Sequence, residues 1–384
     1  MVWLQQFPAF SQIDRATLAR STAGSGAQDY CGEPGIWDEG WLGAGSVRLE
    51  GTLSLLANPA HISCLVVPLR EKALISRILR QSFKGVGVSV GIGDDCAVLR
   101  LPPRHEVLVT TDFSLEGVHF RREWHSAASI GHRCLARGLS DIAAMGGEPR
   151  AAFLSLALPG KFPQAWVDGF LRGLLRLAGR FEVGLAGGDT AQSPAGVLAD
   201  IIVLGSVPQG KAILRSGARP GDGIYVTGAL GGSAAVLRKM MASPRRKLEP
   251  ANFPQHFFPE PRVQLGRYLR EKGLASAMID ISDGLSTDLA HICEQSGVGA
   301  EIQGGAIPKA VIGKPAKQVD PRSALHGGED YELLFTVPGR KNLPSQIAGV
   351  PITWIGRITG GRKILLKDEE GTREFRPQGW EHFK

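Results

Sequence analysis

The chain has 384 residues, 43% hydrophobic and 21% charged, a composition that fits an ordinary globular protein and excludes a disordered or fibrous one. Hydrophobic cores stop growing well before this length, so two compact units are expected. The net charge of +7 is uneven: residues 1–70 hold four Arg against six Asp or Glu, which leaves +9 on the remainder. Such an excess draws anions without choosing among them.

The basic residues are dispersed apart from Arg121-Arg122 and Arg245-Arg246-Lys247, and no familiar nucleic-acid motif occurs, so nucleic acid is not an expected partner. The five cysteines, Cys31, Cys64, Cys96, Cys134 and Cys293, never form a C-x-x-C pair. That argues against a disulfide framework or zinc knuckle and for a cytoplasmic setting. The most apolar stretch, Leu53 to Leu69, is interrupted by Asn58, Pro59 and His61, so no membrane span is expected. The start also lacks the basic-then-apolar pattern of a secretory signal.

In chain order, residues 1–68 scatter Gly, Ser and Trp without a sustained period and read as an N-terminal extension of doubtful order. Leu74, Ile75, Ile78 and Leu79 then keep helical spacing, followed by the Gly-rich run Gly85 to Gly93. A strand through Val107 and Val109 is expected to end at Thr110-Thr111-Asp112. A helix is expected from Ser129 as N-cap to Met145, stopped by Gly146-Gly147. A second helix around Phe170 to Leu177 precedes Gly187-Gly188-Asp189, and Ile201 to Leu204 form a further strand. The turn-rich segment Pro208 to Pro220 marks a domain boundary, giving bodies at 69–208 and 209–384. The second body opens with the strand Gly223 to Thr227 and a helix over Ala234 to Met241. A strand-turn-helix over Met278 to Gln295 and strands from Glu332 to Ile358 follow. Alternating strands and helices make the class α/β or α+β, with helices covering sheets.

Acidic residues fall at the ends of these elements. Asp141 sits in the last turn of its helix, where the dipole disfavours a carboxylate by up to about 1 kcal/mol; pairing with an Arg is the alternative to a cation. Asp280 ends a strand and Asp283 opens a helix, a position that the dipole alone also explains. Asp94-Asp95, Asp112 and Asp189 each follow Gly or Thr residues and are individually readable as turn or strand caps. Should these groups converge, two charges 4 Å apart repel by about 4 kcal/mol at an effective dielectric of 20, so the cluster calls for divalent cations. Oxygen-only ligands point to magnesium. No P-loop, dinucleotide fingerprint or H-E-x-x-H site occurs, so a nucleotide enzyme built here relies on carboxylates and metal.

Six stretches occur in the order seen in thiamine-monophosphate kinases. They are Gly91-Ile-Gly-Asp-Asp-Cys-Ala-Val98, Thr111-Asp112 with Glu116-Gly-Val-His-Phe120, and Leu139-Ser-Asp-Ile-Ala-Ala-Met-Gly146. Gly187-Gly-Asp-Thr190, Asp280-Ile-Ser-Asp-Gly-Leu285 and Gly327-Gly-Glu-Asp-Tyr-Glu332 complete the series. The chain resembles that family over residues 70–384. Its superfamily includes aminoimidazole ribonucleotide synthetase and selenophosphate synthetase. The resemblance implies a two-domain fold, with an N-terminal sheet that pairs in a homodimer and a C-terminal α/β domain that closes over substrate. It also implies ATP-dependent phosphorylation of thiamine monophosphate. By the same resemblance, Asp95, Asp112, Asp141, Asp189, Asp280 and Asp283, helped by Thr110 and Thr111, would hold Mg2+. Gly188, Asp189 and Ser282 would contact ATP, with Arg215 at its phosphates. Catalysis would centre on Asp112, Asp280 and Arg215, while His119, Glu329 and Trp380 would bind thiamine monophosphate. Trp380 is equally readable as a packed surface aromatic. Ala191-Gln192 and Val118 depart from the family pattern without touching a proposed ligand.

Overall fold

The computed structural model describes residues 71–339, 341–380 and 383; the extension expected over 1–68 lies outside them. The first sheet has four strands, in the order His105–Leu115, Leu198–Pro208, Glu148–Pro159 and Gly184–Ser193. The first three pair antiparallel, and the last runs parallel to Glu148–Pro159. Two helices, Ala127–Ala144 and Gln164–Arg180, cover one face. They approach at glycine: a Cβ on Gly131 would lie 2.0 Å from the Phe170 carbonyl oxygen, and one on Gly173 would lie 1.9 Å from that of Ala128.

The second sheet runs Gly371–Glu374, Ile364–Asp368, Gly299–Gln303, Val350–Thr359, Gly223–Thr227, Leu333–Val337 and Ala277–Asp280, with Gln346–Ile347 added on Val350–Thr359. Leu333–Val337 is buried at every position, as a central strand with both faces covered should be. One apolar cluster spans both sheets, joining Leu139, Ile201 and Val203 to Met278, Leu333 and Phe335, while a second fills the far side around Ile224, Leu289 and Ile302.

Several expected boundaries move. The first strand runs on to Leu115, and Gly187-Gly188-Asp189 lies inside a strand, because polar residues here alternate between two faces of one sheet. The helix cap is Ser126, whose side chain accepts the Ser129 N–H at 3.2 Å; Ser129 sits inside the first turn and its hydroxyl bonds back to the Ser126 carbonyl. The second helix extends to Gln164–Arg180. The hairpin strands Ile364–Asp368 and Gly371–Glu374 lie beyond the last expected strand; the latter is exposed throughout and carries no apolar alternation to signal it.

Candidate active site

The first strand sets the site by its alternation. Thr110 and Asp112 face the helix Ala127–Ala144, where the Thr110 hydroxyl donates to Asp141. Thr111 faces the other way, and its hydroxyl donates to Asp200 at 2.8 Å on the uncovered side of the sheet. From the same helix, Ser140 donates to Asp280 Oδ2 at 2.7 Å. Asp280 ends its strand opposite Leu333, so a single helix turn brings carboxylates of the two sheets together.

The trio Asp112, Asp141 and Asp280 is crowded with negative charge. Burial, then repulsion from Asp141, pushes Asp112 up to about 7, with the Arg137 guanidinium pulling the other way. Burial raises Asp141, against the Thr110 hydrogen bond and the Arg215 charge. Asp280 is pushed up to about 8 by burial and by Asp141, opposed by the Ser140 hydrogen bond and by Arg215. Three acidic groups that resist ionisation, with only oxygen donors around them, fit a hard divalent cation of the magnesium kind.

The loop after Asp280 continues the acidic line. Gly284 takes φ +113, and a Cβ there would press on the His326 and Gly327 backbone. Asp288 reaches back from the helix Leu285–Ser296 to accept the N–H of Asp283 at 3.2 Å and of Gly284 at 3.0 Å. Burial and the charges of Asp280 and Asp283 lift Asp288 to about 8. Asp283, Asp288 and His291 present ligand atoms within 4.8 Å of one another.

Across from that loop, Gly327–Glu332 is bonded to it: the N–H of Glu329 donates to the Ser282 carbonyl at 2.8 Å, and that of Tyr331 to Ile281 at 2.9 Å. Glu329 and Tyr331 hold φ of 63° and 53°, a conformation that side chains disfavour and that clusters at functional sites. The Glu329 carboxylate meets Arg133 at 2.7 Å and Arg137 at 2.8 Å. Although burial opposes its charge, the two guanidiniums hold it far below the ordinary carboxylate range. Trp380, exposed, donates its backbone N–H to Asp283 at 3.3 Å, and His119 Nδ1 accepts the Leu115 N–H at 3.0 Å.

Of the residues singled out in the sequence, Thr110 and Asp112 bond to Asp141, and Asp280 lies near enough for its charge to act on both carboxylates, with Arg215 close enough to act on Asp141 and Asp280. Ser282, Asp283, Glu329 and Trp380 border them through the two loops. Asp95 is exposed in the bend that follows the short strand Val88–Val90, and Asp189 is exposed in register with Ser155, on the row that also carries Asp200 and Phe113. These two, with Thr111, therefore lie apart from the trio Asp112, Asp141 and Asp280. Gly188 is required by space: at φ +145, a Cβ would lie 1.9 Å from the Leu154 carbonyl oxygen. Sequence reasoning missed Arg133, Arg137, Ser140 and Asp288. The available signals were the i, i+4 pair of arginines and an Asp four residues after a glycine cap.

Residues 93–207 match the family described as AIR synthase related protein, N-terminal domain, and residues 219–368 match its C-terminal domain. Thiamine-monophosphate kinase of Salmonella typhimurium is 38% identical over 326 residues, covering 82% of this chain and 98% of that protein. The crystal structure of thiamine-monophosphate kinase from Stenotrophomonas maltophilia superposes with TM-score 0.68 at 34% identity, covering 78% of this chain and 97% of its own. AaThiL complexed with AMPPCP and TMP gives TM-score 0.65 at 30% identity, over 82% and 97% of the two chains. Similarity of this extent, across both sheets and both acidic loops, means that the chain belongs to the thiamine-monophosphate kinase family of AIR synthase related proteins.

Proposed function

We propose that the protein transfers the γ-phosphoryl group of ATP in line to a phosphate oxygen of thiamine monophosphate, giving thiamine diphosphate and ADP. The observation that carries this reading is the trio of half-buried Asp112 and Asp141 with buried Asp280, brought near one another from two sheets in a chain related to a kinase solved with AMPPCP and TMP. The acceptor needs no dedicated base, because a phosphate monoester has a second pKa near about 6 and is already largely ionised at neutral pH. What remains is to align two polyanions and offset their repulsion.

In this scheme Asp112, Asp141 and Asp280 hold Mg2+ with Thr110, and Asp283 extends the site toward the acceptor. Asp189 and Thr111, on the sheet face turned away from the helices, and Asp95, in the bend after Val88–Val90, would serve the nucleotide side. Magnesium held by these residues would supply positive charge to offset that of the phosphates. Arg215 meets the ATP phosphates with a planar guanidinium, while Gly188 lets the backbone approach the nucleotide beside Ser282. His119, Glu329 and Trp380 receive the thiamine portion. The division at residues 69–208 and 209–384 puts most of the nucleotide site on the first body and most of the acceptor site on the second, with Arg215, Ser282 and His119 reaching across; the two family matches have similar spans.

The reading includes a homodimer, supported by the face of the first sheet turned away from the helices, where among the described residues Val107, Val109 and Phe113 are 48%, 64% and 55% exposed in one alternating row. An apolar sheet face of this kind calls for a partner, and a second copy supplies the same surface. Among the described residues no helix is long and apolar enough to cross a membrane. The test is a coupled assay with ATP and Mg2+ that offers thiamine monophosphate or thiamine as acceptor. ADP release with the monophosphate and not with thiamine is expected; release with neither acceptor overturns the reading.

A further inference from the structure

Arg133 and Arg137 stand one turn apart on the helix Ala127–Ala144, 3% and 8% exposed. Arg137 bridges two distant parts of the chain. Its Nη1 donates to the carbonyl of Phe113, the residue after Asp112, at 2.8 Å, and its Nη2 donates to Glu329 Oε1 at 2.8 Å. Arg133 Nη2 lies 2.7 Å from the other oxygen, Oε2. We propose that Arg137 is a positioning residue for the phosphoryl acceptor. Its guanidinium fixes the separation between the strand end that carries Asp112 and the loop that presents Glu329, so that the acceptor side and the metal side are set as one unit. This inference rests on the kinase reading.

Three observations carry it. A guanidinium presents a rigid planar fork, and only such a group spans a carbonyl and a carboxylate at once; a lysine ammonium is a point charge and would serve one or the other. The fork comes at a cost, since Arg137 Nε is buried with no hydrogen-bond partner among the described residues, an arrangement that a residue kept only for stability would not favour. Finally, the loop it holds is strained, with Glu329 and Tyr331 both at positive φ. A strained loop keeps its shape only when neighbours over-determine it, and Arg137 with Arg133 grips the Glu329 side chain from the helix Ala127–Ala144. Charge adds to geometry: two arginines and one glutamate leave a net +1 beside the acceptor site, and the Arg137 charge reaches Asp112 as well.

The test measures thiamine monophosphate binding by calorimetry without ATP, in the wild type, Arg137→Lys, Glu329→Gln and the double variant. Each single change is expected to weaken binding on the order of tenfold. The double variant should fall no more than about threefold below the weaker single, because both break one coupled unit. Additive losses, or a lysine variant that binds as the wild type does, overturn the proposal. A second reading uses the unaltered protein: thiamine monophosphate alone should slow amide hydrogen exchange at Gly327–Glu332 and at the Asp112–Ser114 strand end together. Protection confined to the loop overturns the coupling even if the variants fail to fold. A wild type that neither binds the monophosphate nor releases ADP sinks the kinase reading; binding by the wild type with additive variants sinks this inference alone.

Discussion

Asp280 and Glu329 show how neighbours divide two carboxylates into opposite states. Glu329 is held ionised by two arginines, whereas Asp280, buried beside Asp141 and Asp112, ionises only with difficulty. Removing the charge from Asp280 therefore separates stability from activity. Asp280→Asn keeps the size of the side chain and an acceptor for the Ser140 hydroxyl, and it relieves like-charge repulsion. At pH 8 without metal, the variant should unfold at the same temperature as the wild type or a higher one, while diphosphate formation falls by about a hundredfold or more. Comparable activity in the two proteins would remove Asp280 from the site. The sequence signalled this residue well, because a strand, an Asp and a helix lie within one short stretch. Arg137 left no such trace: its partner Glu329 lies 192 residues further on, and only folding joins them.

At the scale of elements, the helix Ala127–Ala144 does most of the assembly. One face packs on the first sheet, its last turns deliver Ser140 and Asp141, and its middle carries the arginines. Its position is set by close contact with Gln164–Arg180, where Gly131 and Gly173 each admit a backbone carbonyl from the other helix. Gly173→Ala would force the helices apart, so a loss of about 1–3 kcal/mol in stability is expected from overpacking. Thermal unfolding at neutral pH measures it; an unchanged midpoint would show that the helix spacing is adjustable after all. The helix itself was legible from its apolar spacing and its Gly146-Gly147 stop. Its partner was read too short, and the first strand was ended too early at Thr110-Thr111-Asp112. Polar residues inside a strand look like a terminus until both faces of the sheet are known: here one face holds Asp141 and the other Asp200.

For the whole molecule, the uncovered sheet face and the buried charge make separate predictions. Val109→Glu places a carboxylate on the most exposed apolar position of that face; the proposed dimer predicts that sedimentation reports a dimer for the parent chain and a monomer for the variant, and a dimer in both would move the interface elsewhere. Asp112 and Asp280 titrate near about 7 and 8 in the folded protein against about 3.9 unfolded, so between those values the folded state holds protons that the unfolded chain has released, and stability falls as pH rises. Buried His125 and His256 act in the opposite sense: burial lowers both, His125 to about 4, so stability rises with pH until the unfolded histidines lose their protons near about 6.5. The two trends oppose each other at acidic pH, and above about 6.5 the carboxylates act alone. The metal-free protein should therefore lose a few degrees of thermal midpoint between pH 6.5 and 8.5, since Asp280 by itself accounts for about 2 kcal/mol over that interval. The proposed Mg2+ site uses the ionised carboxylates, so at fixed ionic strength the stabilising effect of Mg2+ should be larger at pH 8.5 than at pH 6.5. Asp330, lifted to about 7 by burial while it accepts the N–H groups of Gly231 and Ser233, lies outside the trio and should leave a residual slope that magnesium does not remove. Midpoints that stay flat across this range, or a magnesium effect that does not grow with pH, would mean that the three carboxylates do not share a cation.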